Sequence, residues 1–196
     1  MTDLLPTIAA YLPPHLVRAV LENPVSQPPA DISPVQFNAA VLFADISGFT
    51  PLTEALGQRG SEGPEELTRL LNRYFSWMIA FTEAEGGEVV KFGGDSLTVV
   101  FPATEEPIGT AARRAFQAAQ TMQTAMDEFA IMESSAGLVS LRMKIGIGVG
   151  SLIGTSVGGI SDRWEYIVAG EALFQATHAE RQAKQGEIVL SKAAQQ

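Results

Sequence analysis

Hydrophobic and polar positions change period several times along this chain. Residues 39–45 form an unbroken apolar run that Asp45 closes, too short for a helix and typical of a strand buried on both faces. Thr50-Pro51 then opens a helix, with Thr50 as its N-cap and proline at the first helical position. A Gly/Glu-rich stretch over 57–63 interrupts, and Pro64 restarts a longer helix. There Leu67, Leu70, Leu71, Tyr74, Phe75 and Met78 recur every three or four residues. Residues 88–92 and 96–101 are β-rich runs joined at Gly93-Gly94, where a tight turn needs the positive φ that glycine supplies.

A third helix signal covers 107–132, with Ala111, Ala115, Ala118, Ala119, Met122 and Met126 on its apolar side. Residues 141–150 read as a strand, followed by Ile153, and residues 166–169 as another. Residues 170–184 read as a helix and 187–190 as a last strand. The order β-α-α-β-β-α-β-β-α-β predicts an α+β, ferredoxin-like (split βαβ) sandwich, a mixed or antiparallel sheet with helices packed on it. Ahead of it, residues 4–21 suggest short amphipathic helices broken by Pro13-Pro14, and the four prolines within 23–34 suggest an extended linker. The expected organisation is a lead-in over 1–36 and one domain over 37–196.

Composition narrows the function. The 196 residues are 46% hydrophobic, enough for one sizeable core, and the formal charge is −9. That acidity argues against a sequence-independent grip on nucleic acid, which needs clustered Lys and Arg. With no cysteine, disulfides, thiolate catalysis and Cys-ligated zinc drop out, and His15 and His178 alone make no histidine metal cluster. No signal-peptide pattern opens the chain, and the uncharged stretch 145–160 is too rich in Gly, Ser and Thr to insert in a membrane. The expectation is a soluble, cytoplasmic protein.

Two acids carry the candidate chemistry. Asp45 and Asp95 each end a strand-like run beside glycines, where a carboxylate must be solvated, paired or bound to a cation. Either aspartate alone reads as an ordinary turn residue. Together they suit Mg²⁺, which is held by one or two carboxylates with substrate phosphates completing its shell. Gly48 allows a sharp turn, and the helix after it offers unpaired N–H groups to an anion. Gly146, Gly148 and Gly150 alternate within a strand and lack the third glycine of a dinucleotide fingerprint, so they read as close-packing positions. Lys144 is either a solvated strand-end lysine or a phosphate ligand.

The runs Phe43-x-Asp45-Ile46-x-Gly48-Phe49-Thr50 and Lys91-Phe92-x-Gly94-Asp95 resemble the class III nucleotidyl cyclase catalytic domain, the adenylate and guanylate cyclase family. The likeness runs from about residue 39 to 190. Within the family it is nearest to the first catalytic domain of soluble, bicarbonate-responsive adenylyl cyclases. The resemblance implies that Asp45, Asp95 and the Ile46 carbonyl bind two Mg²⁺ ions, with Mn²⁺ able to substitute. It implies that backbone N–H groups at Gly48, Phe49 and Thr50 hold ATP's terminal phosphates, with Lys144 adding a cation. GTP is the alternative substrate. Lys91 and Val168 match a second, degenerate pocket, where Thr177 replaces the arginine of a bicarbonate site. The plainer role for Lys91 is a salt bridge to a nearby Glu.

Family sites form between two domains, and the partner supplies a transition-state Asn and Arg. Counted from Val168-x-Gly170-Glu171, those positions hold Phe174 and His178 here. The resemblance therefore implies the metal-bearing half of an adenylate cyclase, very weak or inactive without a complementary domain in the same longer chain or another subunit. The ending over 190–196, soon after a strand, is what a piece of a longer chain would show. Two rivals stand beside this reading. One is a non-catalytic nucleotide- or anion-sensing dimerisation module. The other is a diguanylate cyclase-like enzyme, suggested by Gly93-Gly94-Asp95, although Ser96 stands where that family has Glu.

Overall fold

The computed structural model describes residues 34–60, 62–104, 106–130, 132–135, 137–160 and 163–196. The helices expected over 4–21, and all of the proline-rich stretch except Pro34, lie outside the described residues.

Strand β1 (Val35–Ser47) is the spine. It pairs antiparallel with β3 (Ser96–Pro102) on one side and with β6 (Arg142–Ile160) on the other. Outward from these lie β2 (Glu88–Gly93) and β7 (Arg163–Gly170), giving the order β2-β3-β1-β6-β7. A last strand, β8 (Ile188–Leu190), runs parallel to β6 over 145–147 and makes the sheet mixed. The α+β expectation holds.

The unbroken apolar run of β1 follows from burial on both faces. Ala40, Leu42, Ala44 and Ile46 point into the larger core. That core is roofed by α1 (Phe49–Gly57), α2 (Glu62–Ala84) and α3 (Ile108–Ala125). Leu52, Leu56, Tyr74, Met78, Ala115 and Met122 fill it, each fully buried Leu or Met contributing about 1.5–3 kcal/mol. Ala39 and Val41 point the other way, toward Leu152 and α4 (Glu171–Gln182), whose Ala172 and Ala176 close a smaller core.

Several boundaries differ from the expectation. The central strand runs four residues earlier and two later than 39–45, because its ends still ladder with β6. Thr50 is not the cap of α1. Gly48 holds that place in the left-handed region at φ 93°, and a Cβ there would stand 2.3 Å from the Ser140 carbonyl oxygen, so only glycine fits. The tight turn is Gly94-Asp95 rather than Gly93-Gly94: Gly93 already pairs with Ser96, and Gly94 carries the positive φ of 71°.

The helix over 107–132 ends sooner, at Ala125, and tightens into a 3₁₀ turn over Met126–Phe129. A three-residue period puts both Met126 and Phe129 into the core. A small hairpin not foreseen, β4 (Met132–Ser134) with β5 (Gly137–Val139), follows it. It is tied to α2 by the Ser135 N–H, which donates to Glu66 at 3.2 Å. Among the described residues no helix is long and apolar enough to cross a membrane, and the uncharged stretch 145–160 is strand.

Candidate active site

Asp45 sits near the end of β1 on the face covered by α4, between Ser96 of β3 and Lys144 of β6 in the register. Asp95 occupies the β2–β3 turn. The Ile46 N–H donates to the Asp95 backbone carbonyl at 3.3 Å, so the strand pairing itself brings the two acids to one end of the sheet. The start of α1 adjoins them in sequence through Gly48, Phe49 and Thr50. Its first N–H groups have no earlier helical turn to bond, and no side chain caps them.

Lys144 projects from β6 into the same corner. Its Nζ lies 3.6 Å from Asp45 Oδ2 and 2.6 Å from Glu180 Oε1 on α4. Glu180 is almost wholly buried, and a buried carboxylate without a partner costs several kcal/mol, about what Lys144 offsets. The glycines of β6 let the helix come this close. A Cβ on Gly146 would stand 2.1 Å from the Ala176 carbonyl oxygen, and one on Gly148 would stand 2.4 Å from that of Ala172. Gly146 and Gly148 are thus close-packing positions.

Electrostatics set the two charges apart. Burial pushes the Asp45 carboxyl above its ordinary range, and the Asp95 charge pushes it the same way, while Lys144 opposes. The hydrogen bond to Glu180 holds the Lys144 amine above the usual lysine range. Burial and the neighbouring acid thus outweigh the lysine, and the charged carboxylate would gain from a further cation. That is a donor set suited to a divalent cation. Among the described residues no three His, Cys, Asp or Glu side chains cluster as a self-sufficient metal cage. Two carboxylates fit Mg²⁺ shared with a polyphosphate better than a fully protein-bound ion.

The other expected residues lie apart. Lys91 of β2 pairs with Glu165 of β7 at 3.9 Å, both side chains about two-thirds exposed, a contact worth at most about 1 kcal/mol. Val168 packs against the smaller core, as do Phe37, Phe43, Val90 and Leu173. Further along, Phe174 is 71% exposed on α4 and stacks on His178, ring centroids 6.2 Å apart and planes 11° from parallel. Thr177 donates its hydroxyl to the Phe174 carbonyl at 3.0 Å.

Sequence reasoning missed Glu180. A signal existed: Ala172, Ala176 and Glu180 follow one another every four residues on the sheet-facing stripe of α4, so an acid interrupts an otherwise small, apolar face.

Comparison with known proteins gives a consistent picture. A family model described as "Adenylate and Guanylate cyclase catalytic domain" matches residues 33–196. Adenylate cyclase type 10 of Oryctolagus cuniculus is 28% identical over 186 residues, covering 94% of this chain and 11% of that protein. Adenylate cyclase 1 of Rhizobium meliloti is 28% identical over 195 residues, covering 98% of this chain and 27% of that one. The chain thus spans a minor part of either relative's length. Among solved structures, the adenylyl cyclase CyaB from P. aeruginosa superposes with a TM-score of 0.69 at 26% identity, over 83% of this chain and 81% of that one.

Proposed function

The chain belongs to the adenylate and guanylate cyclase catalytic-domain family, and on that premise we propose that it is the metal-bearing half of an adenylate cyclase. Its site would convert ATP to cyclic AMP and pyrophosphate once a complementary domain is in place. The observation that carries this reading is the convergence of Asp45 and Asp95 through the β1–β3 pairing, with the Lys144 ammonium in the same corner.

Asp45, Asp95 and the Ile46 carbonyl would hold two Mg²⁺ ions, which Mn²⁺ could replace. Bound there, the cations would acidify the ribose 3′-hydroxyl and neutralise triphosphate charge. The N–H groups of Gly48, Phe49 and Thr50 would seat the terminal phosphates at the start of α1, where the helix dipole favours anions. Lys144 would supply a point charge to the same phosphates. The ribose 3′-hydroxyl gives up its proton to solvent, and its oxygen attacks the α-phosphorus in line. A new O–P bond forms, the bond to the β-phosphate oxygen breaks, and pyrophosphate leaves with the electron pair.

The complementary domain, in the same longer chain or a separate subunit, would supply the transition-state Asn and Arg that Phe174 and His178 replace. Substrate preference follows the adenylate cyclases among the relatives, with GTP the competing substrate.

The exposed Phe174–His178 stack and the Lys91–Glu165 pair favour a second reading, a nucleotide- or anion-sensing module that keeps the fold and makes no product. One assay separates the two. The domain is mixed with a complementary domain bearing that Asn and Arg, in Mg²⁺ and in Mn²⁺, and cyclic AMP and cyclic GMP are quantified. Product from the mixture alone supports the half-enzyme. Nucleotide binding without product from any mixture supports the sensor.

A further inference from the structure

Resting on that reading of Asp45, we propose that Glu180 is a positioning residue: it tethers the Lys144 ammonium away from Asp45 and so keeps that carboxylate open to a divalent cation. The geometry is asymmetric. Lys144 Nζ makes a hydrogen-bonded contact to Glu180 at 2.6 Å but only a looser ion pair to Asp45 at 3.6 Å.

Glu180 is held in place by backbone, not by side-chain chance. A Cβ on Gly146 would stand 2.2 Å from the Glu180 nitrogen and 2.8 Å from its Cα. The helix backbone at 180 therefore rests on β6, one same-face position beyond Lys144. The Glu180 side chain is 9% exposed, so Lys144, not water, balances its charge.

A lysine is a compact charge on a flexible stem. Without Glu180, the ammonium is free to close the short gap to Asp45 and occupy the place a cation would take. The same tether leaves Lys144 charged and localised at the corner where phosphates would arrive.

The test uses the full chain, as wild type, Glu180→Gln, Glu180→Asp, Lys144→Met and the Glu180→Gln/Lys144→Met pair, with thermal melts to confirm folding. Mn²⁺ uptake is read by electron spin resonance. The Lys144 ammonium is read, without metal, as an Nζ–Hζ NMR cross-peak, which survives only when the protons are held in hydrogen bonds. Glu180→Gln is expected to weaken Mn²⁺ binding about 10- to 100-fold, the usual effect of losing a group that orients a metal ligand's surroundings. It is expected to leave a cross-peak that now depends on Asp45, so that adding Asp45→Asn to Glu180→Gln abolishes it, whereas Asp45→Asn in the wild-type background does not.

Lys144→Met is expected to remove most of the Glu180→Gln effect. Glu180→Asp keeps the charge but withdraws it by about 1.5 Å, one carbon–carbon bond, and so is expected to weaken Mn²⁺ binding too. It also serves if Glu180→Gln does not fold. Equal weakening with and without Lys144, or full binding by Glu180→Asp, would mean that Glu180 acts by charge alone and overturns the tether. So does a cross-peak lost in Glu180→Gln alone, or one that survives in Glu180→Gln with Asp45→Asn. A wild-type chain that takes up no Mn²⁺, either alone or with 3′-deoxy-ATP, which lacks the attacking hydroxyl, overturns instead the metal reading of Asp45 and Asp95, and the cross-peak still decides the tether.

Discussion

Ile46 gives its backbone N–H to the Asp95 carbonyl at 3.3 Å, so the two candidate acids are joined through main chain rather than through their carboxylates. The β1–β3 ladder behind that contact runs from Ala39 to Asp45 and uses no aspartate side chain. Asp45→Ala or Asp95→Ala should therefore leave the fold intact while removing one candidate metal ligand. In the assembled pair, product formation is expected to fall about 10³-fold or more, since losing a cation's stabilisation of the reacting phosphate is worth several kcal/mol. Full activity with unchanged Mg²⁺ dependence in either variant would sink the two-metal assignment.

The Asp45 carboxyl is held above the ordinary aspartate range in the folded protein, chiefly through burial and then through Asp95. A carboxylate with a raised folded pKa holds its proton more tightly folded than unfolded. Its charge therefore costs stability above that pKa, and the cost fades as pH falls through it. Asp45→Asn should melt higher than wild type at about pH 7 without divalent cations, and the gap should close toward about pH 4. A functional acid bought at the expense of stability behaves this way. An advantage independent of pH would show that Asp45 carries no such cost.

Helix α4 owes its seat to glycine. Gly146 and Gly148 each face main-chain atoms of α4 at distances a Cβ cannot share. Gly146→Ala should push the helix outward and cost about 1–3 kcal/mol, the usual range for overpacking. The corresponding fall in melting temperature is about 2–4 °C per kcal/mol for a chain of this size. Gly109→Ala, on α3 with nothing within 4 Å of a built Cβ, is the control and should be neutral or slightly stabilising. Equal stability of Gly146→Ala and the control would remove close packing as the reason for the strand glycines.

How much of this was legible in the sequence depends on what kind of contact was involved. The apolar run before Asp45 and the alternating glycines after Lys144 report burial and close approach, which act along one element and leave a local pattern. The α+β order followed from those patterns. The N-terminal position of α1 did not. Thr50-Pro51 is a strong local start signal, but the Ser140 carbonyl, ninety residues on, leaves room only for Gly48 in that place. Likewise the turn slid by one residue because β3 pairs Ser96 with Asp45 as well as with Gly93, and the longer ladder decides the register. Glu180 stayed unread for the same reason: its partner, Lys144, lies on another element, and only the packing of α4 on β6 joins them. The α4 stripe marks Glu180 as an acid out of place, but nothing along the chain names Lys144 as its partner.

Self-association of this chain is not expected to complete the site. Two identical copies would bring two sets of Asp45, Asp95 and Lys144, but Phe174 and His178 would stand where the transition-state pair is needed. His178 is shorter than arginine and lacks the planar fork that grips phosphate oxygens. Phe174 offers no side-chain hydrogen bond at all. Both side chains are exposed on α4 and touch mainly one another, so replacing them should cost the fold little. The unmodified chain is expected to turn over ATP negligibly even at concentrations that force self-association. Phe174→Asn with His178→Arg should raise that rate, while each single change stays near background, because an arginine alone lacks its positioning neighbour. Where a phosphoryl-transfer arginine has been measured it is worth roughly 10³- to 10⁵-fold, so even partial recovery is detectable as labelled cyclic nucleotide. Turnover by the unmodified chain at about 1 per second or more, an ordinary enzyme's rate, would mean that some other residue stabilises the transition state and that the domain is a complete enzyme rather than half of one.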